Sequence, residues 1–479
     1  MSHNYYNHLH HQLRTHPDNP VIVWPDPAGT ETTYTGRDVL DRVAAMRAVL
    51  QEANIEPGQA ALLAVPVSFG AIGALLAVMS AGAIPVLPPA RSSVWAVLRV
   101  IRSGTIRAVI TGKPVASPLR LLARLLGVRL LSAQVDAWSG GAWPSPEPVD
   151  QEQPALISHS SGSTGQPKAI RRSHRVLGAQ HQALDTAFQA WPGQRDFPLF
   201  PNVLLHNLAT GTQSILPDLP QFDLLQLDPA RVVAQMVRHQ VETMTGNVFY
   251  FRNLLAYLHT NPQPFDHVRA VGVGGSPVPE GLVHDLKQAF SQAEVYVIYG
   301  SSEAEPIAIR RVDSVPANPR LGYTVGTIHP TIELRIRPTA TLTLPDGTKQ
   351  PTGEIEVRGP HVAADGWLAT GDFGYQTQTG LLILTGRKGN ERVHRGVQHY
   401  QIEHVVSGVS GVDRVAAKAH ETGFVVYVQG RATEGRATEV DIRQRLLESF
   451  PERLVTDILF RDELPVDNRH HSKLKYDAL

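Results

Sequence analysis

Leu156-Ile-Ser-His-Ser-Ser-Gly-Ser-Thr-Gly-Gln-Pro-Lys168 is the stretch that says most about the fold of this chain. Its second half places four hydroxyl side chains around two glycines, and a lysine follows three residues later. Small residues let backbone N–H groups turn towards an anion, hydroxyl groups add donors, and a lysine adds positive charge. The stretch therefore predicts a loop that holds a polyphosphate. Its spacing differs from that of a Walker A loop, and a flexible Ser/Gly linker is the alternative interpretation.

The composition is that of a globular protein without a strongly charged surface. The chain has 479 residues, 42% of them apolar and 18% charged, and its 44 basic and 44 acidic side chains cancel. This length predicts two or three folding units, and the balance of charge gives no indication of a nucleic-acid or anionic-membrane partner. Cysteine is absent, which excludes disulfides and a cysteine nucleophile. The polar N-terminus lacks the pattern of a secretory signal, so a cytoplasmic location is expected.

Residues 57–90 contain no charged side chain, and the run is long enough to span a bilayer. A transmembrane helix is one interpretation, but prolines and glycines interrupt the run. We instead predict a buried strand at 61–65, a buried helix at 72–81 and a second strand at 83–87. Such a βαβ unit is covered on both faces, so its strands lose their polar alternation.

Similar units predict an α/β fold with mostly parallel sheets. Strands are predicted at 107–111, 268–273 and 294–299, with a helix at 282–293. From about residue 331 apolar and polar residues alternate, which is typical of a small antiparallel unit. After residue 389 a compact α+β pattern of about 90 residues begins.

Three further motifs follow the hydroxyl-rich loop in order. Tyr299-Gly-Ser-Ser-Glu303 comes after a predicted strand, and Ala369-Thr-Gly-Asp372 precedes Gly386-Arg387 by fourteen residues. Near the C-terminus lies Leu464-Pro-Val-Asp-Asn-Arg-His-His-Ser-Lys473. Taken singly, these motifs also suit a helix cap, a turn and a solvated charge.

Taken together, the four motifs resemble those of the ANL superfamily of adenylate-forming enzymes, which includes acyl-CoA synthetases, peptide-synthetase adenylation domains and luciferases. The loop agrees with the family pattern S/T-S-G-S/T-T-G-x-P-K, and the family's Y-G-x-T-E appears with Ser302 in place of threonine. The resemblance covers essentially the whole chain. It implies an N-terminal ATP- and acyl-binding domain at 1–387 and a small mobile α+β domain at 388–479.

The resemblance also implies roles for individual residues. The loop would close over the β- and γ-phosphates of ATP; it comprises Ser160, Ser161, Gly162, Ser163, Thr164, Gly165 and Lys168. Tyr299 would stack on the adenine, with Gly300 beside it and the turn Gly274-Gly275-Ser276 at the other face.

The remaining roles concern the phosphate, the ribose and the metal. Ser302 would touch the α-phosphate or the acyl carboxylate, and Glu303 would hold Mg²⁺. Asp372 would bind the ribose hydroxyls with the help of Arg387. Lys473 would bridge the substrate carboxylate and the α-phosphate.

The expected activity is that of an AMP-forming acid ligase. In peptide synthetases an aspartate in the segment aligned with Pro201–His206 binds the substrate amine. No acidic residue occurs here from Leu199 to Pro217, so a fatty or other apolar acid is the expected substrate. Transfer to a thiol, of CoA or of a phosphopantetheine carrier, is the leading second step. However, residues 391–403 keep little of the family pattern beyond Gly396 and Glu403, and the tail is similar to that of olefin β-lactone synthetases.

Three alternatives therefore stay open. β-Lactone formation from a 3-hydroxy acyl adenylate needs no CoA, and a non-catalytic nucleotide-binding relative needs no bridging lysine. A P-loop kinase or ATPase is disfavoured because the G-K-S/T sequence is missing.

Overall fold

The computed structural model describes residues 3–26, 30–89, 98, 100–101, 106–113, 117–160, 168–430, 438–450, 454–467 and 471–479. The chain divides into two compact units, Met1–Glu242 and Thr243–Leu479. The predicted domain boundary at residue 387 lies inside the second unit, and the predicted mobility of residues 388–479 stays a prediction.

The first unit alternates strands and helices. Its strands are β1 (Pro20–Pro25), β2 (Glu31–Thr35), β3 (Ala60–Ala64), β4 (Ile84–Val86), β5 (Ile106–Thr111), β6 (Arg129–Ser132), β7 (Pro154–Ser160), β8 (Lys168–Ser173), β9 (Arg195–Pro198) and β10 (Gln213–Ile215). Its helices are α1 (Tyr6–Thr15), α2 (Gly36–Glu52), α3 (Phe69–Ser80), α4 (Ser117–Leu125), α5 (His174–Phe188), α6 (Pro201–Thr210) and α7 (Pro229–Arg238).

Six of these strands form one sheet in the order β6-β5-β3-β4-β7-β8. All its pairs are parallel except β7 with β8. The uncharged stretch supplies β3, α3 and β4, as predicted, and the Ser68 hydroxyl begins α3 by accepting from the Ala71 N–H. Within the described residues no helix is long and apolar enough to cross a membrane. The cytoplasmic location stays a prediction.

The second unit contains twelve strands among its described residues. They are β11 (Thr243–Asn247), β12 (Ala270–Gly274), β13 (Glu294–Ser301), β14 (Ala304–Arg311), β15 (Tyr323–Ile328), β16 (Glu333–Thr343), β17 (Lys349–Arg358), β18 (Leu368–Gln376), β19 (Leu381–Arg387), β20 (Val412–Ala419), β21 (Phe424–Gly430) and β22 (Val455–Arg461). Its helices are α8 (Val248–Thr260), α9 (Glu280–Ala289), α10 (His399–Val406) and α11 (Glu439–Ser449).

Nine of these strands are neighbours in the order β16-β17-β18-β19-β15-β14-β13-β12-β11. β11, β12 and β13 are parallel, and every pair from β13 to β16 is antiparallel. The antiparallel strands predicted after residue 331 are thus confirmed, and they continue the parallel strands instead of forming a separate layer. The reversal begins earlier than predicted, at β14.

The last part of the chain forms a small sheet, β20-β21-β22, with α10 and α11. Its apolar core includes Ile402, Phe424 and Ile442. The predicted α/β fold with a small C-terminal α+β part is confirmed.

Candidate active site

A cavity of about 150 Å³ lies in the second unit, where the turn after β12, the end of β13, the middle of β18 and the end of β19 meet the C-terminal tail. On this measure it has room for roughly ten water molecules. Seven residues that the sequence analysis assigned to the nucleotide or to catalysis line it: Gly275, Ser276, Tyr299, Gly300, Asp372, Arg387 and Lys473.

Parallel strand pairing brings together the residues that are predicted to contact the adenine. β12 ends at Gly274, which pairs with Ile298, the neighbour of Tyr299 on β13. A Cβ atom on Gly274 would lie 2.5 Å from the backbone oxygen of Ile298, so only glycine fits there. Gly275 has a φ of +80°, which glycine adopts without strain. The chain therefore turns sharply beside Tyr299 and exposes the Gly275-Ser276 backbone to the cavity.

Asp372 links three parts of the cavity. It pairs with Arg387 across β18 and β19, and the Arg387 guanidinium forms an ion pair with its Oδ1. The Tyr299 hydroxyl donates to Oδ2 at 2.9 Å. Asp372 raises the pKa of Arg387, and burial, followed by the Asp372 charge, raises the pKa of Tyr299 well above its ordinary value. The site therefore holds a charged guanidinium and a neutral phenol around one carboxylate.

Lys473 lies in the same cavity and is subject to opposing electrostatic influences. Burial is the largest cause that lowers its pKa, and the Arg387 charge adds to this. The charges of Asp372, Asp467 and Glu303 act in the opposite direction. An anion that enters here would meet Lys473 and Arg387 together, and it would favour the charged form of the lysine.

Two serine hydroxyls indicate that the cavity suits a polar ligand. The Oγ atoms of Ser276 and Ser472 are buried, and neither has a hydrogen-bond partner among the described residues. Both serines line the cavity. Because buried polar groups are normally hydrogen-bonded, these two atoms are candidates to bind a ligand.

The remaining predicted site residues are not among those that line the cavity. Ser302 and Glu303 form the turn between β13 and β14. Ser160 ends β7, Lys168 begins β8, and these two residues are paired in the antiparallel register. The rest of the predicted phosphate loop lies outside the described residues: Ser161, Gly162, Ser163, Thr164 and Gly165.

The structure also brings residues into the cavity that the motifs did not predict. Arg252 projects from α8, Arg414 from β20, and Tyr476 follows Lys473 by three residues. Tyr250, Phe251 and Leu254 on the same helix are buried in the core and do not line this cavity. The sequence analysis did not identify the three additional cavity residues. For Tyr476, its place three residues after Lys473 could have indicated that it lies near the lysine.

The fold and the cavity define an adenylate-forming type of enzyme. The model of the AMP-binding enzyme family matches residues 9–365, and the chain belongs to this family. It is an AMP-forming acid ligase of the ANL superfamily.

Individual proteins show the breadth of this group. An olefin β-lactone synthetase from Stenotrophomonas maltophilia (strain K279a) is 28% identical over 420 residues, which cover 78% of this chain and 75% of that protein. A 4-chlorobenzoate–CoA ligase from an Arthrobacter species is 25% identical over 427 residues, 82% of this chain and 78% of the relative. The solved structure of o-succinylbenzoate coenzyme A synthetase from Bacillus subtilis, in complex with ATP and magnesium ion, has a TM-score of 0.77 at 18% identity and covers 98% of both chains.

Proposed function

We propose that this chain converts a fatty or other apolar carboxylic acid and ATP to an acyl adenylate and pyrophosphate, and then transfers the acyl group to a thiol of CoA or of a phosphopantetheine carrier. The observation that carries the proposal is that Lys473 lines one cavity with Asp372 and Arg387. This arrangement supplies two cations and a ribose-binding carboxylate within one site.

The proposed roles follow from the charges. A carboxylate oxygen attacks the α-phosphorus, which is already surrounded by negative charge, and the bond to the pyrophosphate oxygen breaks. Lys473 offsets the repulsion between the two anions and stabilises charge on the α-phosphate. No proton has to move in this step, so positioning and electrostatics dominate. Asp372 would accept from the ribose hydroxyls, and Ser276 would donate its unpaired hydroxyl to the nucleotide.

Glu303 suits a magnesium ion. Mg²⁺ is usually held by one or two carboxylates together with substrate phosphates. The Glu303 charge raises the pKa of Lys473, which supports a place for this carboxylate in the electrostatics of the same site. A bound magnesium ion would neutralise charge on the leaving pyrophosphate.

The apolar acyl substrate is supported by the sequence of the first unit. Residues 199–217 contain no acidic side chain that could bind a substrate amine, which favours an acyl chain over an amino acid. CoA ligases among the relatives support the thiol as acceptor.

β-Lactone formation is the second candidate for the fate of the adenylate. In that reaction the β-hydroxyl oxygen of the acyl group attacks its own carbonyl carbon, AMP leaves, and one proton is released. The observation that favours it is the 28% identity to the Stenotrophomonas olefin β-lactone synthetase, together with the Pro465-Val-Asp467 tail.

The test is carboxylate-dependent pyrophosphate release from ATP and Mg²⁺. Short, long, aryl and 3-hydroxy acids are compared with and without CoA. Turnover that CoA stimulates on plain fatty or aryl acids supports thiol transfer, whereas multiple turnover confined to 3-hydroxy acids without CoA supports the lactone. ATP binding without pyrophosphate release on any acid would contradict the proposal.

The first variant to measure is Lys473→Ala. We expect kcat for pyrophosphate release to fall about 100-fold or more, because a charge that acts in the transition state is lost. Lys475→Ala is the matched control, since its exposed side chain belongs to the same tail. Thermal unfolding should be similar for both variants. Pyrophosphate release by Lys473→Ala at the wild-type rate would contradict the role of this lysine.

A further inference from the structure

The tail that carries Lys473 is fixed to itself by backbone hydrogen bonds. The Asp467 N–H donates to the Lys473 backbone oxygen at 2.8 Å, and the Lys473 N–H donates to Asp467 Oδ1 at 2.9 Å. The Lys475 N–H donates to the Pro465 backbone oxygen at 2.9 Å. These bonds define a hairpin, but they do not attach it to the cavity wall.

Two contacts attach it there. The Arg414 guanidinium donates to the His471 backbone oxygen at 3.0 Å, and a tyrosine side chain of the tail makes the second contact, on the other side of Lys473. The Tyr476 hydroxyl donates to Glu403 Oε1 at 2.8 Å and lies 3.0 Å from Oε2. Glu403 belongs to α10, and its Oε1 also accepts from the Ala417 N–H on β20 at 2.9 Å. Both Glu403 and Tyr476 line the cavity that contains Lys473. A single carboxyl group therefore joins α10, β20 and the tail.

The burial of the Glu403 carboxyl group is energetically unfavourable, which suggests that the group has a role. It is only 2% exposed, and burial raises its pKa to about 8. Burying a carboxyl group costs free energy unless hydrogen bonds compensate. None of the chemical steps proposed above requires this group, so its burial has to be explained by the hydrogen bonds that it accepts from Ala417 and Tyr476.

We propose that Glu403 and Tyr476 are positioning residues for Lys473: their hydrogen bond holds the tail so that the lysine ammonium lies in the cavity beside Asp372. This inference rests on the proposed role of Lys473. Only two residues lie between Lys473 and Tyr476, so loss of the Tyr476 hydrogen bond loosens the hairpin next to the lysine, while Arg414 still holds it at His471. The ammonium would then occupy its place for a smaller fraction of the time, and the transition state would lose stabilisation.

The test is Tyr476→Phe, which removes one hydroxyl and keeps the ring. We expect kcat for pyrophosphate release to fall about 10-fold, the equivalent of one hydrogen bond to a buried acid, while the KM for ATP stays within about twofold. Tyr375→Phe is the matched control, because the Tyr375 hydroxyl is buried without a hydrogen-bond partner in the described part of the chain. It should retain wild-type kcat.

A double-mutant cycle separates positioning from general structural damage. In a Lys473→Ala background, Tyr476→Phe should cause no further loss, since the group that it positions is absent. A further 10-fold loss in that background would overturn the proposal. So would a wild-type kcat in Tyr476→Phe when Lys473→Ala is inactive, and that outcome would leave the proposed function intact.

Two further measurements keep the proposal testable if Lys473→Ala has no measurable activity. Tyr476→Phe should increase trypsin cleavage at Lys475 at a temperature where the unfolding transition is unchanged. Glu403→Gln keeps an acceptor for the Tyr476 hydroxyl, so it should retain more activity than Glu403→Ala. Unchanged cleavage, or equal loss in the two Glu403 variants, would contradict positioning through this hydrogen bond.

Discussion

Asp372 is the residue on which the electrostatics of the cavity depend most. It accepts a hydrogen bond from Tyr299, forms an ion pair with Arg387, and its charge acts on Lys473. Without this carboxylate, only the charges of Asp467 and Glu303 would oppose the influence of Arg387 on Lys473. The oxygen atoms of Asp372 are also the acceptors that ribose hydroxyls would need. Asp372 therefore both neutralises the free site and would bind the nucleotide.

Asp372→Asn removes the negative charge of this side chain and keeps its shape, so the variant tests the charge alone. We expect the KM for ATP to rise about 10- to 100-fold, because hydrogen bonds to a charged acceptor are replaced by weaker ones and Arg387 loses its counter-ion. Pyrophosphate release at varied ATP concentration measures the change. Asp313→Asn is the control, since Asp313 is 49% exposed and forms a surface ion pair with Lys287. An Asp372→Asn enzyme with the wild-type KM would show that the carboxylate does not contact the nucleotide.

The sequence predicted some cavity residues and missed others for a physical reason. Tyr299, Asp372 and Arg387 occur in short motifs within single strands, so the local sequence is enough to indicate them. Glu403 and Tyr476, by contrast, meet across 73 residues of sequence. Their contact depends on how the tail folds back onto α10, and no local pattern encodes that path.

At the scale of elements, the parallel strands β12 and β13 set the shape of the cavity wall that is predicted to contact the adenine. Glycine in the interior or at the end of a strand marks a close approach of two backbones. Gly274 satisfies this description, because its α-carbon packs against the backbone of Ile298. The strands were predicted from their apolar runs. β14 and β15 were not, because Ala304–Arg311 and Tyr323–Ile328 show neither clean alternation nor a continuous apolar run.

Gly274→Ala tests the strand packing. We expect it to lower the free energy of unfolding by about 1–3 kcal/mol, because the new methyl group would overlap the neighbouring backbone. Gly281→Ala is the matched control: it lies in α9, and its Cβ would meet no atom within 4 Å. Alanine favours a helix over glycine by about 1 kcal/mol, so this variant should be slightly more stable than the wild type. The urea midpoints of the two variants should lie on opposite sides of that of the wild type, and a shift in the same direction would contradict the packing argument.

At the scale of the whole molecule, the chain carries no net charge but buries many neutral histidines. Burial is the largest cause that lowers the pKa in each of five cases, to about 4 in four of them and to about 3 in the fifth: His10, His174, His206, His404 and His399. Three of these residues belong to the first unit and two to the second. Acid should therefore weaken both units.

The histidines predict how stability depends on pH. Their pKa values in the folded chain lie below the ordinary 6.5, so the unfolded chain binds protons first as the pH falls. Their contribution is fully present above pH 6.5 and is lost as the pH falls towards about 4. Glu403 acts in the opposite direction, because its raised pKa favours the folded chain at low pH and loses this effect as the pH rises towards about 8. We therefore expect the unfolding temperature to fall steeply as the pH is lowered from 6.5 to 4. It should fall more gently as the pH is raised from 6.5 towards 8.

His10→Phe tests how much one histidine contributes to the loss of stability between pH 6.5 and 4. His10 is 7% exposed, and after burial the charges of Arg14 and Arg47 also lower its pKa. Phenylalanine cannot be protonated, so the variant should lose less stability than the wild type between pH 6.5 and 4, by up to about 3 kcal/mol. Thermal unfolding across this range measures the difference, with His420→Gln as the exposed control. If the acid slope of His10→Phe equals that of the wild type, protonation of His10 does not drive unfolding. The loss of stability at low pH would then have to come from the remaining buried histidines.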